Sequence, residues 1–153
     1  MAASAAPGGV NTVRRVITFL LLGVMVLIAG IGLAGLIERA ITTPAVLADF
    51  GSSGLAQSLA FTLIAGPFAL GLWWFAWRNL TDASADRHSA AWPVYLIIAH
   101  TVSLIVFSLA ALEFLSDLVI GVWSPGPLSV ALAWALIWVW HHWMWFHAAK
   151  GPT

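Results

Sequence analysis

Four stretches of the chain are long and apolar enough to cross a lipid bilayer, and no other feature limits the fold so sharply. They cover residues 16–37 (VITFLLLGVMVLIAGIGLAGLI), 55–77 (LAQSLAFTLIAGPFALGLWWFAW), about 93–115 and about 128–147. A helix rising about 1.5 Å per residue needs about 20 residues to traverse a hydrocarbon core roughly 30 Å thick. Inside that core each backbone N–H and C=O must find its partner within the protein, so runs of this length and composition read as helices. Charge or helix breakers bound every run: Arg14-Arg15, Glu38-Arg39, the Gly51–Gly54 segment, Arg78, Glu113 with Asp117, the Ser124–Pro127 segment and Lys150. Pro93 and Pro127 stand at first-turn positions, which suit proline. The expected fold is all-α, an integral membrane four-helix bundle of two tandem hairpins. Residues 1–13 are expected as a flexible tail, 14–80 as the first hairpin, 81–92 as a loop and 93–150 as the second hairpin.

Lysine and arginine set the orientation, because short basic flanks stay on the cytoplasmic side. Arg14, Arg15, Arg78, Arg87 and Lys150 fall on one side, against Arg39 alone on the other. Glu38, Asp49, Glu113 and Asp117 accompany that lone arginine. Both termini and the 81–92 loop are therefore expected in the cytoplasm of a bacterial inner membrane. The apolar run 16–37 is too long for a cleaved export signal, whose apolar region is typically about 7–15 residues. The Asn79-Leu80-Thr81 triplet matches a glycosylation acceptor, but its expected cytoplasmic position discards it.

Hydrophobic residues make up 61% and charged ones 8%, with a formal net charge of zero, so no basic surface is available for a nucleic-acid backbone. The chain has no cysteine, which removes disulfides, thiolate nucleophiles and Cys-ligated metals. Phosphate-binding loops, dinucleotide fingerprints and nucleophile elbows are absent from the sequence.

Aligned against itself, the chain shows a period near 73–77 residues. Leu55, Leu59, Ala60, Leu63 and Ile64 fall on Leu128, Leu132, Ala133, Leu136 and Ile137. Each unit would hold two spans, so the copies would share one topology, with a pseudo-twofold along the membrane normal as the simplest closure. A basic residue before an apolar span (Arg15), then a second span with a Gly66-Pro67 kink running into Trp73-Trp74 and Arg78, resembles an uncharacterised bacterial membrane family known only as a domain of unknown function. The resemblance covers most of residues 14–149. It implies a multi-spanning fold and supplies no activity, cofactor or catalytic residue. Val139-Trp140 stands where a second Gly-Pro kink would be.

Because lipid is as apolar as a leucine surface, helix association in a bilayer relies on small residues that let backbones approach. Gly23, Gly30, Gly32, Ala34 and Gly35 supply them on the first span, Ala65 with Ala69 on the second, and Ala99 with Ser103 on the third. Pro67 removes a backbone donor in mid-span and should distort that helix. Ten tryptophans exceed what interfacial belts require. At about 100° per residue, Trp134, Trp138, His141 and Trp145 lie along one stripe of the fourth span, which reads as helix packing or as contact with another membrane subunit, lipid or pigment.

Ionisable groups inside a bilayer are costly and are functional suspects. Acids and lysines are missing from the deep spans, which removes a carboxylate proton relay; a channel or carrier would have little polar lining beyond Gln57, Thr62 and Thr101. His100 on the third span and His141 or His142 on the fourth reach similar depth, with Gly23 and Gly71 at the same level on the other spans. That layer could hold a b-type haem with the histidines as axial ligands and Arg78 and Arg87 meeting the propionates. Alternatively the histidines are structural, like the interfacial His88 and His147. No Glu-x-x-His or His-Glu-x-x-His spacing supports a di-iron or zinc centre. The leading expectation is a non-enzymatic accessory or scaffold subunit with Trp134, Trp138 and Trp145 as partner contacts; the haem-binding electron carrier or redox-complex anchor is the alternative.

Overall fold

The computed structural model describes residues 8–42, 51–82 and 91–150, with side chains described at 12–42, 53–78 and 91–147. Four helices follow one another, and no strand occurs among the described residues. Helix α1 is Gly8–Ile41. Helix α2, residues 51–82, joins an α-helical part Gly51–Ala60, a π-helical turn Phe61–Ala65 and a second α-helical part Gly66–Asp82. Helix α3 is Ala91–Val119 and α4 is Pro125–Lys150. Three segments, Thr12–Ile41, Ser53–Arg78 and Ala91–Val119, are long and apolar enough to cross a membrane. The fourth helix is 26 residues long, but its five tryptophans and three histidines hold its hydropathy below that of the other three.

The helices outrun the apolar stretches. Residues 8–13, expected in the tail, are helical, and α3 continues past 115 to Val119. Apolar length marks what hydrocarbon covers, whereas a helix continues through polar flanks until something stops it. At the end of α3 the stop is Gly121, with φ +79°. Val122 N–H donates to the Asp117 carbonyl at 2.9 Å and Gly121 N–H to that of Leu118 at 3.1 Å. This paired closure satisfies the last carbonyls and needs a residue that tolerates positive φ.

Spatially the helices run α2, α1, α4, α3, with α1 packed along α2 on one side and α4 on the other, and α3 packed mainly on α4. Glycines set the close approaches. A Cβ on Gly32 would stand 2.7 Å from Phe61 Cβ and 2.8 Å from the Thr62 backbone nitrogen, and one on Gly35 would strike Ser58 Oγ. Ala65 and Ala69 are buried on the facing side of α2. On the other side of α1, a Cβ on Gly30 would meet Ile137 and Trp134. The Glu38 carboxylate lies against Gly126 in the first turn of α4, where the helix dipole favours an anion.

The π turn has an identifiable cause in the next residues. Pro67 offers no N–H to the Leu63 carbonyl and its ring crowds that group, so the preceding turn widens. The widened residues Phe61 and Thr62 are those that Gly32 accommodates.

A twofold relation between the hairpins would give aligned residues matching environments, and they differ. Ile64 is 61% exposed, whereas Ile137 is 8% exposed. Ala60 is exposed and Ala133 fully buried. The close α1–α4 contact also has no counterpart of similar extent between α3 and α2 among the described residues. Similar hydrophobic spelling in the second and fourth spans therefore serves a peripheral helix in one case and a central one in the other.

Candidate functional site

Where the chain is rich in arginine, at the start of α1 and the end of α2, all four helices converge through aromatic side chains. Phe19 stacks on Tyr95 and packs on Trp92, with ring centroids 5.5 Å apart in both pairs. Trp77 meets Trp92 at 6.2 Å and Trp143 at 6.4 Å. Trp73 meets Trp140 edge-on at 5.6 Å, and its Nε1–H donates to Met144 Sδ at 2.7 Å. Leu22 and Met144, each 1% exposed, fill the centre. Burial of these large rings builds a hydrophobic core cluster among the described residues.

His141 lies inside this cluster, 2% exposed, and both of its ring nitrogens are engaged. Nδ1 is 2.7 Å from the Ile137 carbonyl, which can only accept, so Nδ1 carries a hydrogen. Nε2, 3.0 Å from Tyr95 Oη, then accepts from the phenol. Tyr95 is the only tyrosine in the chain, and the sequence reading passed over it. Its signal was available: a lone phenol in an apolar run, near the depth of a histidine on the neighbouring helix.

His100 and His142 occupy a different face. Five residues separate Tyr95 from His100, about 140° around a helix with 3.6 residues per turn, so they point to different sides of α3. Neighbouring His141 and His142 diverge by about 100° for the same reason. His100 Nε2 accepts from Trp138 Nε1–H at 3.0 Å. The His142 ring stacks on Trp138 at 5.2 Å and lies 5.6 Å from that of His100, inclined by 28°. Phe146 closes on His142 edge-first at 4.8 Å.

This arrangement does not fit a haem held between the two helices. Axial imidazoles must present nitrogens from opposite sides of the macrocycle, whereas His100 and His142 stack ring on ring. His141 could ligate only by giving up Tyr95 or Ile137. Gly71, expected to make room for the macrocycle, faces open space, and a Cβ on Gly23 would stand 4.0 Å from the Tyr95 ring. Of the expected propionate contacts, Arg78 is exposed at the end of α2, and Arg87 lies outside the described residues. Among the described residues no three His, Asp or Glu side chains gather as a metal site.

The expected tryptophan stripe is turned by a fraction of a helical step. The buried face of α4 runs through Trp134, Ile137, His141 and Met144, with Trp138 at its edge and Trp145 outside, 45% exposed. Trp134 therefore packs against α1 near Gly30. Trp138, His142, Trp145 and Phe146 form the outer aromatic edge of the α3–α4 pair.

The family model described as a domain of unknown function (DUF5671) matches residues 12–140. Neither a curated protein nor a solved structure matches the chain.

Proposed function

The chain belongs to the DUF5671 family, and from that premise we propose that it is a membrane-embedded, non-enzymatic accessory or scaffold subunit whose fourth helix contacts another membrane subunit. In this reading the membrane is the bacterial inner membrane and the arginine-rich end faces the cytoplasm. The observation that carries it is the outer edge of α4. Trp138, His142, Trp145 and Phe146 expose aromatic and polar atoms together; stacking and the Trp138–His100 hydrogen bond stiffen Trp138, His142 and Phe146, and Trp145 is 45% exposed beside them. Surfaces enriched in tryptophan supply large rigid contact areas to partner proteins. The Tyr95–His141 pair belongs to the interior and helps fix how α3 sits on α4.

The test is retention of the partner by the full chain in mild detergent. Trp138→Ala combined with Trp145→Ala should release the subunit that co-purifies with the unaltered chain while helical content and micellar solubility persist. Unchanged retention would assign those rings to lipid and overturn the partner face. An absorption spectrum of the same preparation, oxidised and then reduced, checks the haem alternative: a Soret band lost in His100→Ala would restore it.

A further inference from the structure

A groove of about 390 Å³ runs between α1 and α3. Its walls extend from Val16 to Leu27 on α1 and from Ala91 to Ser103 on α3, and Trp134 of α4 contributes to its lining. The two walls touch each other far less than either touches α4, which is why the groove stays open along its length. Its lining is almost wholly apolar, and its volume falls in the range of roughly 300–1,000 Å³ typical of ligand pockets.

Depth and charge together identify an occupant. Eleven residue steps from Val16 to Leu27 span about 16 Å, close to half of a hydrocarbon core roughly 30 Å thick. The groove therefore matches a single leaflet, beginning at the arginine-rich end. Arg14 and Arg15 immediately precede Val16, while Glu38, Glu113 and Asp117 lie at the opposite ends of their helices. An amphiphile whose tail follows the groove would thus bring its headgroup to the level of two guanidinium groups, which favour phosphate. We propose that the α1–α3 groove is a binding site for one acyl chain of an anionic phospholipid from the leaflet at the arginine-rich end. This rests on the membrane-embedded part of the function proposed above and is independent of any partner subunit.

The experiment uses the full chain in vesicles of dioleoyl phosphatidylglycerol and dioleoyl phosphatidylcholine, separated by flotation and then released into mild detergent for native mass spectrometry. One phosphatidylglycerol per chain should remain bound in preference to phosphatidylcholine. Gly23→Leu with Ala99→Leu, which fills the groove, should remove that adduct. Gly71→Leu, which adds one leucine side chain on an open face of α2, should keep it. Arg15→Gln leaves the groove intact and should cut the preference for phosphatidylglycerol about fivefold, the equivalent of roughly 1 kcal/mol per basic residue near an anionic headgroup. Flotation with no stoichiometric adduct, equal loss in Gly71→Leu, or a dimer mass in place of the lipid would overturn the groove site, the last by assigning it to a second copy. Failure to float with either vesicle would overturn membrane embedding and the groove with it.

Discussion

Gly32 and Gly30 face opposite sides of α1 at nearly the same tightness, and the physical obstacle decides what a methyl group costs at each. A Cβ at position 32 would lie 2.8 Å from the Thr62 backbone nitrogen, and one at position 30 would lie 2.8 Å from Ile137 Cδ1. The Ile137 methyl can rotate away, whereas the Thr62 nitrogen belongs to the π turn and moves only if α2 moves. Ordinary contact begins near 3.5 Å, so Gly32→Ala requires α1 and α2 to part by roughly 0.7 Å, a gap that forfeits a quarter to a half of the dispersion attraction along their seam. Overpacking of this kind typically costs about 1–3 kcal/mol, and an immobile obstacle places Gly32→Ala at about 2–3 kcal/mol. Gly30→Ala should come out near zero, because relief of the glycine penalty in a helix, roughly 0.5–1 kcal/mol, offsets the displaced methyl. Unfolding of both variants in mixed micelles titrated with dodecyl sulfate, followed by far-UV ellipticity, measures the difference. Equal costs, or a larger cost for Gly30→Ala, would refute the claim that α2 is seated on α1 through backbone contact at the π turn.

Two further outcomes follow from the same geometry. Tyr95→Phe keeps the ring stack with Phe19 but leaves buried His141 Nε2 without its donor, and should destabilise the fold by about 1–2 kcal/mol in that titration; an unchanged midpoint would show that the pair contributes nothing net. Because the chain has no native cysteine, single thiols introduced as Thr12→Cys and Ser116→Cys report topology without background. In intact cells an impermeant maleimide should label the second and spare the first, and the opposite pattern would reverse the orientation.

Apolar run length was enough to place all four helices, and lysine and arginine asymmetry grouped the ends that the aromatic cluster joins. Small residues were legible as contacts too, since Gly30, Gly32, Gly35, Ala65 and Ala69 all sit at interfaces. Which neighbour each one meets was not. Hydrophobic spelling records that a face is apolar, and in a bilayer both lipid-facing and helix-facing surfaces are apolar, so Ile64 and Ile137 look alike until packing separates them. The histidine layer shows the same limit. Depth along a helix follows from residue count alone, but direction around it depends on which neighbour lies where, and that is what pairs His141 with Tyr95 and His100 with His142.

The division of residue types along the helices bears on both surfaces proposed above to carry function. Toward the Glu38 end, glycines let α1 approach the α2 backbone at Thr62 and the Ile137 and Trp134 side chains of α4; toward the Arg15 end, Phe19, Trp73, Tyr95, Trp140 and Trp143 place rings between the helices instead. A glycine contact draws two axes together, while an intervening aromatic ring holds them apart. The two kinds of spacer thus seat α1 closely on its neighbours at one end, while at the other the Phe19 and Tyr95 rings stand between α1 and α3, where the groove lies. They also account for α4 having rings on both sides: α1 and α3 together take up only one face of it. The rings on that face are the core, and those on the other, Trp145 and Phe146, remain available. Phe19 and Tyr95 belong to the aromatic cluster and also line the groove, so replacing either by a small residue would loosen the cluster and alter the groove wall together, and the two features cannot be varied independently through them.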